Sequence, residues 1–169
     1  IAGRWSEPSP SAGWSGACSG TGACNVTMDA AKSVTATFKL NTTIPRLANI
    51  STRMQVLTGA DVLIGGFIIQ GAGPQTVVVR ARGPSLAAAG VTNPLANPLL
   101  QLFSGANQIA VNDDWGTAAN AAQLSASGFA PANPVESALL ITLNPGAYTA
   151  IVTGVGGGTG VGIVEVFAQ

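Results

Sequence analysis

From Leu47 to the C-terminus, apolar residues come in short runs, and turn-forming residues end nearly every one. Leu47–Leu57 leads into Thr58-Gly-Ala-Asp61, Val62–Gln70 into Gly71-Ala-Gly-Pro74, and Thr76–Arg82 into Gly83-Pro84. Leu99–Phe103 and Gln108–Val111 flank Ser104-Gly-Ala-Asn107, which predicts a hairpin. Leu139–Leu143 and Tyr148–Thr153 flank Asn144-Pro-Gly146, where proline then glycine fits a type II turn. A last hairpin is expected across Gly154–Gly160, ending in the strand Val161–Phe167. One helix is expected over Thr117–Ser127, after Asp113-Asp114 and stopped by Gly128. Short strands with a single short helix predict an all-β chain, an antiparallel β-sandwich of jelly-roll type, with a barrel as the alternative.

The first forty residues read differently. Asn25–Met28 and Ser33–Leu40 are strand-like, the second alternating Val34, Ala36, Phe38 and Leu40 with Thr35, Thr37 and Lys39. Asp29-Ala-Ala-Lys32 is expected to turn between them. The composition changes near Leu40–Pro45, which divides the chain into 1–43, an incomplete β-repeat or connector, and 44–169, the sandwich. Isolated two-stranded hairpins are marginal in water and leave pairing edges. The N-terminal strands are therefore expected to find their missing partner on the chain's own sandwich or on a strand of the next copy, and the second case builds a polymer.

Cys18 and Cys24 sit in a glycine-rich loop. Zinc would need further ligands and the chain has no histidine, so a disulfide is expected, and with it an oxidising, extracellular setting. The sequence starts at Ile1, which suggests a processed piece. No apolar run approaches the roughly 20 residues of a membrane-spanning helix. Seven basic and seven acidic side chains cancel, and only 8% of residues are charged. No basic cluster is available for nucleic acid, and a surface this neutral favours association.

The missing histidine also removes Ser-His-Asp and Cys-His catalysis. Gly83-Pro-Ser85-Leu-Ala87 mimics a nucleophile elbow but lacks its second glycine and a base. The Gly154–Gly160 run fails the dinucleotide spacing. Beside Asp113 and Asp114, Glu136 and Asp61 are the other obvious carboxylates for a glycosidase pair, with no aromatic cleft in view. Asn112-Asp113-Asp114 offers oxygens that suit Ca²⁺, or a cap for the following helix. Arg80 and Arg82 share a strand face, to be met by local partners or by an assembly interface. Trp5 and Trp14 join them as interface candidates, and Trp5, Trp14 and Trp115 are also candidates for stacking on cell-surface or matrix glycans.

The stretch Ala12-Gly-Trp-Ser-Gly-Ala-Cys18 through Cys24 to Ser33-Val-Thr-Ala-Thr-Phe38 resembles the end of divergent internalin-type B repeats of bacterial surface proteins. Arg80–Leu86, Asn112–Trp115 and Leu143–Thr149 give the remainder the look of a domain near the C-termini of large secreted bacterial proteins. The run Leu100–Asp114, then Pro145-Gly-Ala-Tyr148 to the last strand, is similar to the pre-peptidase C-terminal β-sandwich. These resemblances imply a non-catalytic secreted module, adhesive or spacing, with calcium held in some members. The expected function is a self-assembling structural subunit, a homopolymer or filament built through strand contacts. The alternative is a calcium- or carbohydrate-binding accessory or adhesion module of a larger secreted protein.

Overall fold

The computed structural model describes residues 13–38 and 48–169, in two units, Ile1–Arg46 and Leu47–Gln169. Trp5 and Leu40 lie outside the described residues.

In the first unit, β1 (Gly13–Gly16) pairs antiparallel with β2 (Val34–Thr37), Trp14 opposite Ala36. Asn25–Met28, expected as the partner of Val34–Thr37, forms no strand. The Cys18–Cys24 bridge, with Cα atoms 5.9 Å apart, tightens the loop that follows β1, and Trp14 N donates to Gly20 O across it. The hairpin expected across Asp29–Lys32 does not form, the chain only bending there; an ion pair of 2.8 Å between Lys32 and Asp29 holds the Asp29 carboxyl below the usual aspartate range. Val34–Thr37 thus pairs with β1 and not with Asn25–Met28, and among the described residues this sheet has two strands.

In the second unit, period-two alternation becomes eight strands: β3 (Asn49–Val56), β4 (Leu63–Ile69), β5 (Gln75–Arg82), β6 (Pro98–Ser104), β7 (Asn107–Asn112), β8 (Ser137–Leu143), β9 (Gly146–Gly154) and β10 (Gly160–Ala168). They form two antiparallel four-stranded sheets, in orders β3-β10-β5-β8 and β4-β9-β6-β7. Two separate sheets make a β-sandwich, not a barrel. Val77, Val79, Ala81 and Val164 from one sheet pack against Leu63, Leu100, Leu102, Ala150 and Val152 from the other, all buried. Burying aliphatic side chains of this size is worth about 1.5–3 kcal/mol each against leaving them in water.

Only β6–β7 is a hairpin within one sheet of the sandwich; every other consecutive pair of its strands lies in different sheets. The expected hairpins at Asn144–Gly146 and Gly154–Gly160 are therefore crossings between sheets. Gly146 does not take the positive φ of a type II turn. Gly160, the first residue of β10, runs so close to Leu95 that a Cβ would lie 2.7 Å from backbone atoms.

The single α-helix among the described residues, α1 (Ala121–Ala126), is shorter than expected and starts later. Residues 115–120 are used otherwise. Trp115 N donates to Glu136 O, Thr117 N to Asp114 O, and the Asn120 amide to Leu140 O, tying this segment to β8. Neither Asp113 nor Asp114 caps α1; Asp114 precedes a 3-10 turn and makes no side-chain capping bond. Gly128, at φ 77°, follows the helix as expected. Leu124 carries α1 onto Val78 and Ala138, covering the outer face of the first sheet together with Trp115 and Phe129.

Candidate functional site

Charge is so scarce that each ionised group in the sandwich can be followed singly. Cross-strand register sets Arg80 of β5 directly opposite Glu165 of β10, and Arg82 opposite Ile163. Arg80 Nε donates to Glu165 Oε2 at 2.7 Å, and Arg82 Nη1 lies 3.6 Å from the same oxygen. Arg80 Nη1 also donates to Phe129 O at 2.7 Å, and its guanidinium lies 4.6 Å from the Phe167 ring centroid. Both arginines are occupied by partners within the chain.

Beyond β5 the chain turns through Gly83-Pro84-Ser85, and Glu136 sits behind that turn, wholly buried. Its Oε1 accepts from Gly83 N (2.9 Å), Ser85 N (2.9 Å) and Ser85 Oγ (2.7 Å). Ser85 Oγ in turn accepts from Arg82 Nε at 3.0 Å. The elbow-like serine gives its proton to a carboxyl and its lone pair to an arginine, as a turn clamp does. Gly83 is required here, because a Cβ would lie 2.0 Å from Leu95 O. Glu136 is wholly buried and Asp61 is exposed in the turn after β3, so the two do not form an open carboxylate pair.

The edge of the sandwich formed by β7 and β8 is laced shut. Asn112 Oδ1 accepts from Ala138 N at 2.9 Å, and its Nδ2 donates to Asp114 O at 3.3 Å. Ser137 Oγ donates to Pro98 O, bridging the sheets. The Asn97 amide, oriented with its nitrogen toward both acceptors, reaches Val135 O at 3.0 Å and Asp113 Oδ1 at 3.1 Å. Burial raises the Asp113 carboxyl above the ordinary aspartate range, and the neighbouring Asp114 charge raises it further.

As a calcium site this set fits poorly. Asn112 spends its side-chain oxygen on β8, and no group of three His, Cys, Asp or Glu converges among the described residues. Ca²⁺ takes six to eight oxygens. Asp114 Oδ1 remains buried without a hydrogen-bond partner.

The described tryptophans each spend their indole N–H on a backbone carbonyl of the chain. Trp14 Nε1 donates to Gly22 O at 2.9 Å, and Trp115 Nε1 to Asn133 O at 3.2 Å. A cleft of about 180 Å³ beside Thr58-Gly59 and Gly154–Gly158 is lined by glycine, threonine, leucine and valine, with no ionisable group.

What the other edge and face present is different. The four strands β4, β6, β7 and β9 contain no charged residue. On their outer face Ile64, Ile151, Gln101 and Val111 lie in one cross-strand row, and Ile64, Ile68, Ile109 and Val111 are exposed. Sequence reading missed this face because alternation marks a strand without saying which side is left bare. It also missed Glu165 and Glu136, which only register and a long-range contact connect to Arg80, Arg82 and Ser85.

No protein-family model matches the chain, and no curated protein does. Among solved structures, the pre-peptidase C-terminal domain of a collagenase from Bacillus anthracis is a structural neighbour. It shares 14% identity at a TM-score of 0.44, covering 70% of this chain and 89% of that one. Among the described residues no helix is long and apolar enough to cross a membrane.

Proposed function

We propose that this chain is a non-catalytic, extracellular structural subunit that self-assembles, into a filament, through contacts between strands of neighbouring copies. The observation that carries the reading is the bare outer face of β4-β9-β6-β7, a four-stranded sheet without a charge on any strand. Soluble sheets usually place lysines and other charges where strangers could dock. Contiguous exposed apolar surface marks an interaction site. A net charge of zero removes the long-range repulsion that would keep copies apart. The disulfide supports a secreted, cell-surface setting. The resemblance of residues 12–38 to a surface-protein B repeat, and of the remainder to the pre-peptidase C-terminal sandwich, supports a spacer or adhesive role.

Sedimentation velocity and negative-stain electron microscopy of the full chain test this. Growth of the sedimenting species with concentration, ending in filaments, is expected. Dispersed monomers at the highest attainable concentration would overturn it.

A second reading, a calcium-holding accessory module, has one observation in its favour, the unpartnered Asp114 Oδ1 next to Asp113. Millimolar calcium would then raise the melting temperature, and Asp114→Asn would abolish that rise. Identical melting curves with calcium and with chelator would remove this reading.

A further inference from the structure

We infer that the first contact in assembly is the pairing of β3 with β3 of a second copy, antiparallel about a twofold axis, with Thr52 opposite its own counterpart. This rests on the proposed self-assembly and names one contact within it. In the sandwich, β3 ends its sheet, with β10 on one side and no strand on the other among the described residues. Its inward side chains are nevertheless bare, Ile50 47% and Met54 41% exposed. Beside them a cleft of about 80 Å³ opens between Ile50, Thr52 and Gly65-Gly66, reaching Val164 of the core. The opposite edge of the sandwich is closed by Asn112, Ser137 and Trp115, whereas among the described residues no strand covers this one.

Backbone parity decides which groups are free. Ala168 N donates to Ala48 O, and β3 runs in register with β10 so that Val56 faces Gly160. In an antiparallel pair, hydrogen-bonded and non-hydrogen-bonded positions alternate. Ile50, Thr52 and Met54 therefore turn their N–H and C=O groups to β10, while Asn49, Ser51, Arg53 and Gln55 turn theirs to the open side. A second β3 that keeps inward residues inward must pair residues of the same parity. Two centred registers do so. With the axis at Arg53, two guanidiniums would stand directly opposite, a like-charge pair that destabilises a sheet. With the axis at Thr52, Arg53 faces Ser51 of the copy, Asn49 faces Gln55, and Ile50 faces Met54. The free donors and acceptors on each strand then match, and the only charge on β3 meets a hydroxyl.

The occupant is a second copy because the edge complements itself in this register. An isologous contact closes at two subunits, so filament growth adds a separate contact, for which the uncharged outer face of the second sheet is available.

Full-length Thr52→Cys, Ser51→Cys and Arg53→Cys variants, with Cys18–Cys24 intact, test the register under mild oxidation. Thr52 counterparts sit at a non-hydrogen-bonded pair with Cα atoms about 4.5 Å apart, within disulfide reach, whereas counterparts of Ser51 or Arg53 would be two residues out of register and beyond about 7 Å. A covalent dimer from Thr52→Cys, forming at least about 10-fold faster than from the other two, is expected. Faster dimerisation of Arg53→Cys would overturn the register. Assembly of the parent chain without a Thr52→Cys dimer would overturn β3 pairing and leave self-assembly standing. A monomeric parent with no dimer from any variant would overturn both.

Charge exchange gives an independent arm. Ile50→Lys or Met54→Glu alone should weaken dimerisation about 10-fold or more, by placing a charge against an apolar side chain. The double variant sets lysine opposite glutamate and should recover most of that loss. Double-variant dimerisation no stronger than that of the weaker single variant would refute the pairing.

Discussion

Glu136→Ala is the most informative single substitution in the sandwich. In the parent protein one carboxyl oxygen receives Gly83 N–H, Ser85 N–H and Ser85 Oγ–H at 2.7–2.9 Å. The alanine variant leaves both backbone donors without an acceptor. Gly83 is buried and Ser85 half-buried, so water cannot reach the first without opening the turn. Each stranded donor costs about 1–3 kcal/mol. The Ser85 hydroxyl can rotate and is counted as neutral. The space left by the deleted carboxymethyl group adds about 1 kcal/mol. The expected loss is about 3–7 kcal/mol, or roughly 10–25 °C in melting temperature for a domain of this length. Glu136→Gln keeps the accepting oxygen and puts an amide nitrogen where the second carboxyl oxygen has no partner. It should cost about 1–2 kcal/mol. Calorimetry or urea unfolding of the full chain measures both, with the sandwich transition as the readout. An alanine variant melting within about 2 °C of the parent would show that the turn does not depend on the carboxyl.

Arg80→Met removes the 2.7 Å pair with Glu165, the bond to Phe129 O and the contact with Phe167. With Arg82 still 3.6 Å from the carboxylate, the cost should be about 2–3 kcal/mol, below that of stripping a buried charge completely. A double-mutant cycle with Glu165→Gln should return a coupling of about 1–2 kcal/mol, and a value near zero would contradict the pairing. Asp113 binds its proton more tightly folded than unfolded, because its carboxyl is raised by burial and by Asp114. Its contribution to stability therefore falls as pH rises from the ordinary aspartate range through its raised value, and stays lost above it. Asp113→Asn keeps an oxygen for Asn97 and should raise the melting temperature at neutral pH while changing little in acid; a lower melting temperature at neutral pH would contradict this. Replacing Cys18 and Cys24 by serine should destabilise the first unit by about 2 kcal/mol in the loop-entropy model. The sandwich transition should stay within about 1 °C of the parent, as read by calorimetry.

Where each strand of the sandwich lies was legible from apolar runs and the turn residues that end them. Thr76–Arg82, Leu99–Phe103 and Gln108–Val111 became β5, β6 and β7 with boundaries shifted by a residue. Which strands pair was not legible. Asn144-Pro-Gly146 and the Gly154–Gly160 run have the chemistry of hairpin turns, yet both carry the chain across to the other sheet. Turn residues set where the chain bends, while sheet membership follows from which apolar face must be buried. The helix was misplaced at its start because Trp115 and Asn120 bond to Glu136 and Leu140, far away in sequence, and delay it to Ala121. Asn25–Met28 has strand composition but no partner in register, and the strand that pairs with Val34–Thr37 lies before the disulfide loop. Of the site residues, Arg80 and Arg82 were visible as a pair on one face. Their common acceptor at Glu165, more than eighty positions away, required the β10–β5 register.

Imaging the full-length chain by electron microscopy across a concentration series, with the sedimentation profile recorded on the same samples, is the most direct test of self-assembly. A shift from small oligomers to filaments with a regular repeat is the predicted result. A single slow boundary and isolated particles at every concentration would contradict it.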